Sequence, residues 1–118
     1  MFVLLVEYDF QFAMFLRSGL AEEGFETEWV GDGDAALRRA LGGAHDVIVL
    51  GATPLGMSRT DLCVRLRRGG ATTPVLVLAG QDGEDDSAKV LKAGADEHLA
   101  GPISLAELTS RLSSFFMT

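Results

Sequence analysis

The chain has 118 residues, 47% of them hydrophobic and 23% charged, which fits one domain with an ordinary core and excludes a disordered segment or a long coiled coil. Seventeen acidic residues against ten lysines and arginines give a net charge of −7, which disfavours direct binding to nucleic acid. The single cysteine, Cys63, excludes an internal disulfide and is predicted to be a packed thiol. No apolar run reaches the ~18 residues of a membrane span, so we expect a cytoplasmic domain with no membrane partner.

Short apolar runs alternate along the chain with longer segments of helical period. The predicted strands are Phe2–Val6, Glu26–Val30, Val47–Leu50, Pro74–Leu78 and Glu97–Ala100. The helical segments between them end at Gly24, Gly42–Gly43, Gly69–Gly70 and Gly94, and glycine is the expected residue just past a helix. Ser104, followed by Glu107, forms the capping box of a last helix. The alternation predicts one doubly wound α/β domain over residues 1–118, with a five-stranded parallel sheet between two layers of helices.

Three of the predicted strands end without a chemically active side chain. The residues that follow them are Gly51, Ala79 and Gly101. Because open α/β sheets place their chemistry at the carboxyl ends of the strands, these positions would carry any catalytic group. No nucleophile–base pair or metal cluster can be assembled there, so the sequence predicts no enzyme, no cofactor and no metal. We expect the function to lie in binding.

Several segments together resemble the receiver domain of response regulators. They are Val3–Glu7, Glu23–Phe25, Gly31–Gly33, Asp46–Leu50, Thr73–Leu78, Ala93–Asp96, and Pro102 followed by Ser104–Leu108. They occur in the family's order and spacing over the whole chain, and they are most similar to the OmpR/PhoB type, whose receiver precedes a winged-helix DNA-binding domain. The resemblance implies a flavodoxin-like fold with strand order 2-1-3-4-5, a role in two-component signalling, and an output domain, if present, beyond residue 118.

The resemblance also locates the family's phosphorylation site, position by position. The acidic pair that holds Mg²⁺ falls on Tyr8 and Asp9, the phospho-acceptor on Gly51, the hydroxyl on Ala79, the lysine on Gly101 and the aromatic switch on His98. Phosphoryl transfer needs an in-line nucleophilic oxygen, which Gly51 does not supply. Asp9 alone is a weak metal ligand at best. These departures imply an atypical pseudo-receiver.

Individual residues allow more than one interpretation. The Tyr8 ring either fills the space left by the missing side chains, gates a small ligand there, or points to solvent. Asp9 is predicted to cap a helix that begins near Phe10, with residual metal binding as the alternative. His45, at a turn, is expected to be exposed. Arg65, Arg67 and Arg68 are expected to interact with the dipole of the third helix.

Two surfaces are candidates for protein contacts. Phe10 and Met14 lie opposite the core face of the first helix, as a docking stripe or as scattered apolar residues. The second surface comprises Leu91, Asp96, Glu97, Glu107 and Arg111. It coincides with the face through which OmpR/PhoB-type receivers dimerise, where the acids could meet Arg111 of a second copy; the alternative is a solvated rim of charge.

The resemblance implies a receiver domain that works without phosphorylation. It would regulate through homodimerisation or another protein contact, as the N-terminal module of a transcription regulator. Two alternatives remain open. One is a ligand-sensing module that uses the space at Gly51, Ala79 and Gly101, and the other is a stand-alone adaptor that binds a signalling partner.

Overall fold

The computed structural model describes residues 1–51, 57–78, 87–100 and 103–115, except for the side chain of Ser87. Five strands alternate with five helices in these ranges. The strands are β1 (Phe2–Val6), β2 (Glu26–Val30), β3 (Val47–Leu50), β4 (Val75–Leu78) and β5 (Glu97–Leu99). The helices are α1 (Phe10–Glu22), α2 (Gly33–Leu41), α3 (Arg59–Arg68), α4 (Ser87–Ala93) and α5 (Leu105–Ser114).

The strands form a single parallel sheet in the order β2-β1-β3-β4-β5, which confirms the predicted topology. β1 pairs with β2 and β3 at once, and Val6 lies beside Val30 on one side and Leu50 on the other. Parallel neighbours need a crossover, and the intervening helices supply it. The carboxyl ends of the strands therefore meet along one edge of the sheet.

Two hydrophobic clusters lie on the two faces of this sheet. One is formed with α2, α3 and α4 and includes Cys63, which is fully buried as predicted. The other is formed with α1 and α5 and includes Leu16 and Leu108. β1, β3 and β4 supply alternate residues to both clusters, so they are apolar at nearly every position. None of the helices in the described ranges has the length and apolar character needed to cross a membrane.

The helix boundaries follow the capping residues. The side chains of Asp9, Asp32, Ser58 and Ser104 accept backbone N–H groups in the first turns of α1, α2, α3 and α5. Gly24 follows α1 with a φ of 87°, which glycine adopts without strain. β4 begins at Val75 rather than at Pro74, because proline has no N–H for the ladder; the carbonyl of Pro74 still accepts the N–H of Ile48 at 2.9 Å. β5 ends one residue earlier than predicted, at Leu99.

The prediction that His45 is exposed is wrong. Its side chain is only 3% exposed, because the ring stacks on Phe2 at a centroid distance of 4.6 Å. The Nε2 atom lies 2.8 Å from the Glu28 carboxylate, which also binds Arg39. The hydrogen bond with His45 is the main reason why the pKa of Glu28 is lowered, and Arg39 acts in the same direction. The turn after α2 is therefore packed against β1 and β2.

Arg67 joins the end of α3 to two loops, a role that the expected dipole interaction did not include. Its guanidinium donates to the carbonyls of Ala71, Thr73 and Gly94 and to the carboxylate of Asp96. Asp96 also accepts the N–H of Val75 at 2.8 Å. These bonds fasten the end of α3 to the start of β4 and to the turn before β5. Asp96 is thus held within its own chain.

Candidate functional site at the carboxyl ends of the strands

The site lies where β1 and β3 end side by side. The N–H of Gly51 donates to the carbonyl of Val6 at 2.7 Å, which extends the pairing of the two strands by one residue. The N–H of Glu7 donates to the carbonyl of Val30 at 3.1 Å, so β1 is also fixed to β2 at this level. Glu7 and Gly51 are therefore neighbours at the edge where open α/β sheets carry their chemistry.

The carboxylate of Glu7 occupies the space in which a side chain at position 51 would begin. An ideal Cβ on Gly51 would lie 2.2 Å from Oε1 of Glu7 and 3.2 Å from the carbonyl oxygen of Val6. Glu7 is only 2% exposed, and its Oε2 accepts the N–H of Asp9 at 2.8 Å. A buried carboxylate needs hydrogen-bond donors, and the N–H of Asp9 supplies one of them.

Asp9 caps α1, as predicted. Its Oδ1 accepts the N–H of Gln11 at 3.0 Å and that of Phe12 at 3.3 Å. It contacts Glu7 through its backbone N–H, whereas its carboxylate is directed to the helix. The acid beside Gly51 is therefore Glu7 and not Asp9, to which the resemblance had assigned the surviving member of the acidic pair.

The sequence contained one signal for this role of Glu7. It directly follows the buried run of β1, where the chain reaches the carboxyl edge of the sheet. The sequence pattern did not show that the Glu7 side chain lies beside the end of β3. This position is available to Glu7 only because residue 51 has no Cβ.

The Tyr8 ring points to solvent. The residue is 64% exposed, which favours the last of its three interpretations over the filling of the site. The neighbouring aromatic contacts involve Trp29, whose Nε1 donates to the carbonyl of Glu7 at 2.8 Å and whose ring meets Phe10 edge-on at 5.4 Å. The backbone of Glu7 is thus held from the side of β2 as well.

A cation reaches the same edge from α3. The guanidinium of Arg59, the first residue of α3, donates a short hydrogen bond to the carbonyl of Leu78, the last residue of β4. Leu50 pairs with Val77, so Gly51 and Leu78 follow the pairing at the ends of adjacent strands. Parallel strands are about 4.8 Å apart, which puts the Arg59 contact one strand away from Gly51 and two strands away from the backbone of Glu7. The sequence did not predict this contact.

Other predicted site residues have different outcomes. Ala79 and Gly101 lie outside the described residues. His98, in β5, is partly buried and has interaction partners, and its assignment as the switch position stays a prediction. Within the described ranges no group of three or more histidine, cysteine, aspartate or glutamate side chains could hold a metal ion.

The charged residues of the predicted dimer face are paired within the chain. Arg111 forms a short ion pair with Glu97, and its second amino group lies 3.9 Å from Glu107. Asp96 binds Arg67 at 3.0 Å. Leu91, which is 41% exposed, is the apolar residue that this face presents to solvent.

The predicted stripe on α1 differs from its observed surface. Phe10 is 58% exposed, but Met14 is partly buried against the cluster between α1, α5 and the sheet. Phe15, which the helical spacing did not single out, is 53% exposed. The apolar surface of α1 therefore consists of Phe10 and Phe15, with Tyr8 just before the helix.

The fold defines a class: a five-stranded parallel domain of receiver type, with its site at the ends of β1, β3 and β4. The receiver domain of Francisella response regulator 1452 superposes with a TM-score of 0.88 at 30% identity and covers 98% of this chain and 95% of its own. A putative response regulator from Chloroflexus aurantiacus gives 0.84 at 29% identity, covering 96% of this chain and 94% of its own. The family model described as "Response regulator receiver domain" matches residues 3–113. The chain belongs to this family.

Curated relatives include a transcriptional activator and a response regulator. The transcriptional activator protein IrlR of Burkholderia pseudomallei is 38% identical over 112 residues, which is 95% of this chain and 48% of IrlR. The response regulator protein PmrA of Pseudomonas aeruginosa is 38% identical over 110 residues, which is 93% of this chain and 50% of PmrA. The chain thus spans about half the length of the curated relatives that it matches.

Proposed function

We propose that this receiver domain works without phosphorylation of the residue that follows β3. The observation that carries the proposal is the pair of Gly51 and Glu7: the acceptor position has no side chain, and a buried carboxylate stands in its space. Phosphoryl transfer needs an oxygen nucleophile in line with the donor phosphorus and cations on the phosphoryl oxygens. Gly51 supplies no nucleophile, and the described residues form no group of three or more metal-ligating side chains that could hold a metal ion there. The domain is accordingly not an enzyme and takes up no phosphoryl group there.

The direct test is exposure of the domain to acetyl phosphate and Mg²⁺, followed by intact-protein mass spectrometry. We expect no phosphoryl adduct. A receiver domain with an acceptor aspartate, treated in parallel, controls for the activity of the donor. A covalent phosphoryl group on this chain would contradict the proposal, and peptide mapping would locate it.

We further propose that the output is a protein contact, with homodimerisation through α4, β5 and α5 as the first candidate. Leu91 supports this choice because it is an exposed apolar residue of α4, and Arg111 of α5 pairs with Glu97 of β5. Curated relatives such as the transcriptional activator protein IrlR are about twice as long as this chain. In that setting the domain would position a DNA-binding module in the cytoplasm without contacting DNA itself, in keeping with its net charge of −7.

Light scattering over a concentration series, without phosphodonor, tests the dimer. We expect Arg111→Glu and Leu91→Gln to shift the equilibrium towards monomer, whereas Arg65→Glu, an equal charge change at an exposed position of α3, leaves it unchanged. Leu91→Gln is needed because it keeps the ion pair of Arg111 with Glu97 intact. A monomer at every concentration would contradict the dimer and move attention to the exposed aromatic residues of α1.

The ligand-sensing alternative is less favoured. The carboxylate of Glu7 already lies in the space beside Gly51 that a small molecule would enter. Tyr8, which could have covered such a ligand, is directed to solvent. A stand-alone adaptor remains compatible with the exposed surface of α1 and is tested by the same scattering experiment, since it would leave this chain monomeric.

A further inference from the structure

We infer that Glu7 is a built-in substitute for the acceptor side chain: it fills the place of a residue-51 side chain and holds the ends of β1 and β3 in one fixed arrangement. The inference deepens the proposed function and rests on it for its regulatory meaning. Its structural part depends only on the packing of Glu7 against Gly51.

The first argument is steric. The φ of Gly51 lies outside the left-handed region, so its backbone can accommodate an alanine. The obstacle is space alone: Oε1 of Glu7 would lie 2.2 Å from the added Cβ, and the carbonyl of Val6 3.2 Å from it. A carboxylate and a side chain at residue 51 cannot share this volume unless Glu7 moves away.

The second argument is that Glu7 is held in place. Its N–H donates to Val30, its carbonyl accepts the indole N–H of Trp29, and its Oε2 accepts the N–H of Asp9. These contacts tie the residue to β2 and to the start of α1. Moving its carboxylate would break the hydrogen bond from the N–H of Asp9 and leave that donor without its acceptor, which is costly.

The third argument is electrostatic. An anion enters this edge from β1 through Glu7, and a cation enters from α3 through Arg59, whose guanidinium binds the carbonyl of Leu78. Both side chains belong to the chain itself. The carboxyl edge of the sheet therefore already holds an acidic and a basic side chain of the domain itself. Gly51→Asp alone is expected not to restore phosphorylation, because Glu7 lies in the space that the new side chain needs.

A double-mutant cycle in thermal unfolding tests the inference. Gly51→Ala is expected to lower the melting temperature by several degrees more than Gly31→Ala, a matched control with an ordinary φ whose nearest neighbour is Trp29 at 3.3 Å. In a Glu7→Ala background the cost of Gly51→Ala should fall to that of the control, since the blocking atom is gone. Glu7→Asp, with a shorter side chain, should also relieve the cost, and it serves as the second background if Glu7→Ala does not fold.

Two results would overturn the inference. One is a cost of Gly51→Ala no larger than that of Gly31→Ala, and the other is an unchanged cost in both Glu7 backgrounds. The cycle uses no phosphodonor, so its outcome is independent of the acetyl phosphate test. A positive cycle together with a phosphoryl adduct would leave the packing role standing and remove the proposed function.

Discussion

Replacing Arg67 by alanine should lower the free energy of unfolding by about 3 kcal/mol. Its guanidinium makes five hydrogen bonds of 2.8–3.0 Å to three carbonyls and to Asp96, with its side chain 26% exposed. A single such bond contributes about 1 kcal/mol net, and the partial exposure lets water replace some of them, so the sum is discounted. Asp96 would keep only its bond from Val75.

For 118 residues, 3 kcal/mol corresponds to a fall in melting temperature of roughly 12 °C, from an unfolding entropy of about 2.1 cal/mol/K per residue. Differential scanning calorimetry measures it. Arg65→Ala, on the same helix and exposed, is the matched control and should stay within about 0.5 kcal/mol of wild type. Arg67→Lys should recover only part of the loss, because an ammonium lacks the planar fork that reaches several carbonyls. Equal stability of the Arg67→Ala and Arg65→Ala variants would refute the reasoning.

Three further expectations concern single residues. Cys63 should not react with a soluble thiol reagent at pH 8 in the folded state and should react fully in urea, because burial raises the pKa of its thiol to about 11; prompt reaction of the native protein would contradict this. The lowered pKa of Glu28 stabilises the fold above the ordinary value of 4.5, and this contribution is lost as the pH falls through the folded value. Urea titrations from pH 7 to 3 should therefore show a shallower loss of stability for Glu28→Gln than for wild type, and parallel curves would argue against the role of the His45 contact. Gly94→Ala should destabilise by more than about 1 kcal/mol, since its φ is 129° and an added Cβ would lie 2.6 Å from Cγ of Arg67; an unchanged urea midpoint would disprove this.

The fold was accessible from the sequence because local signals agreed with one another. The bounds of β1, β2 and β3 coincide with the predicted ones, since each run is apolar or β-prone and is followed by a polar residue or a glycine. Ser104 caps α5 as its spacing from Glu107 predicted. The errors of one residue fall at the start of β4, where Pro74 has no N–H for the ladder, and at the end of β5.

The candidate site was only partly accessible, because its features depend on contacts between distant segments. The absence of a side chain at Gly51 is visible in the sequence, but the carboxylate that takes its place comes from the end of a neighbouring strand. Arg59 and Arg67 were ordinary helix cations in the sequence, and their acceptors lie 19 and 27 residues away at Leu78 and Gly94. Whether a side chain extends across the edge of a sheet to a distant acceptor does not follow from any periodic pattern in the sequence.

The hydrogen bond between Trp29 and Glu7 places the intrinsic fluorophore of the domain next to the candidate site. Trp29 is the only tryptophan of the chain, and its indole N–H binds the backbone of the residue whose carboxylate fills the site. Indole emission responds to the polarity and hydrogen bonding of its surroundings, so any rearrangement at Gly51 that displaces Glu7 should change the colour or yield of the light emitted by this one ring. The state of the site can thus be followed optically, in real time and without an attached dye, while a candidate partner is titrated into the solution.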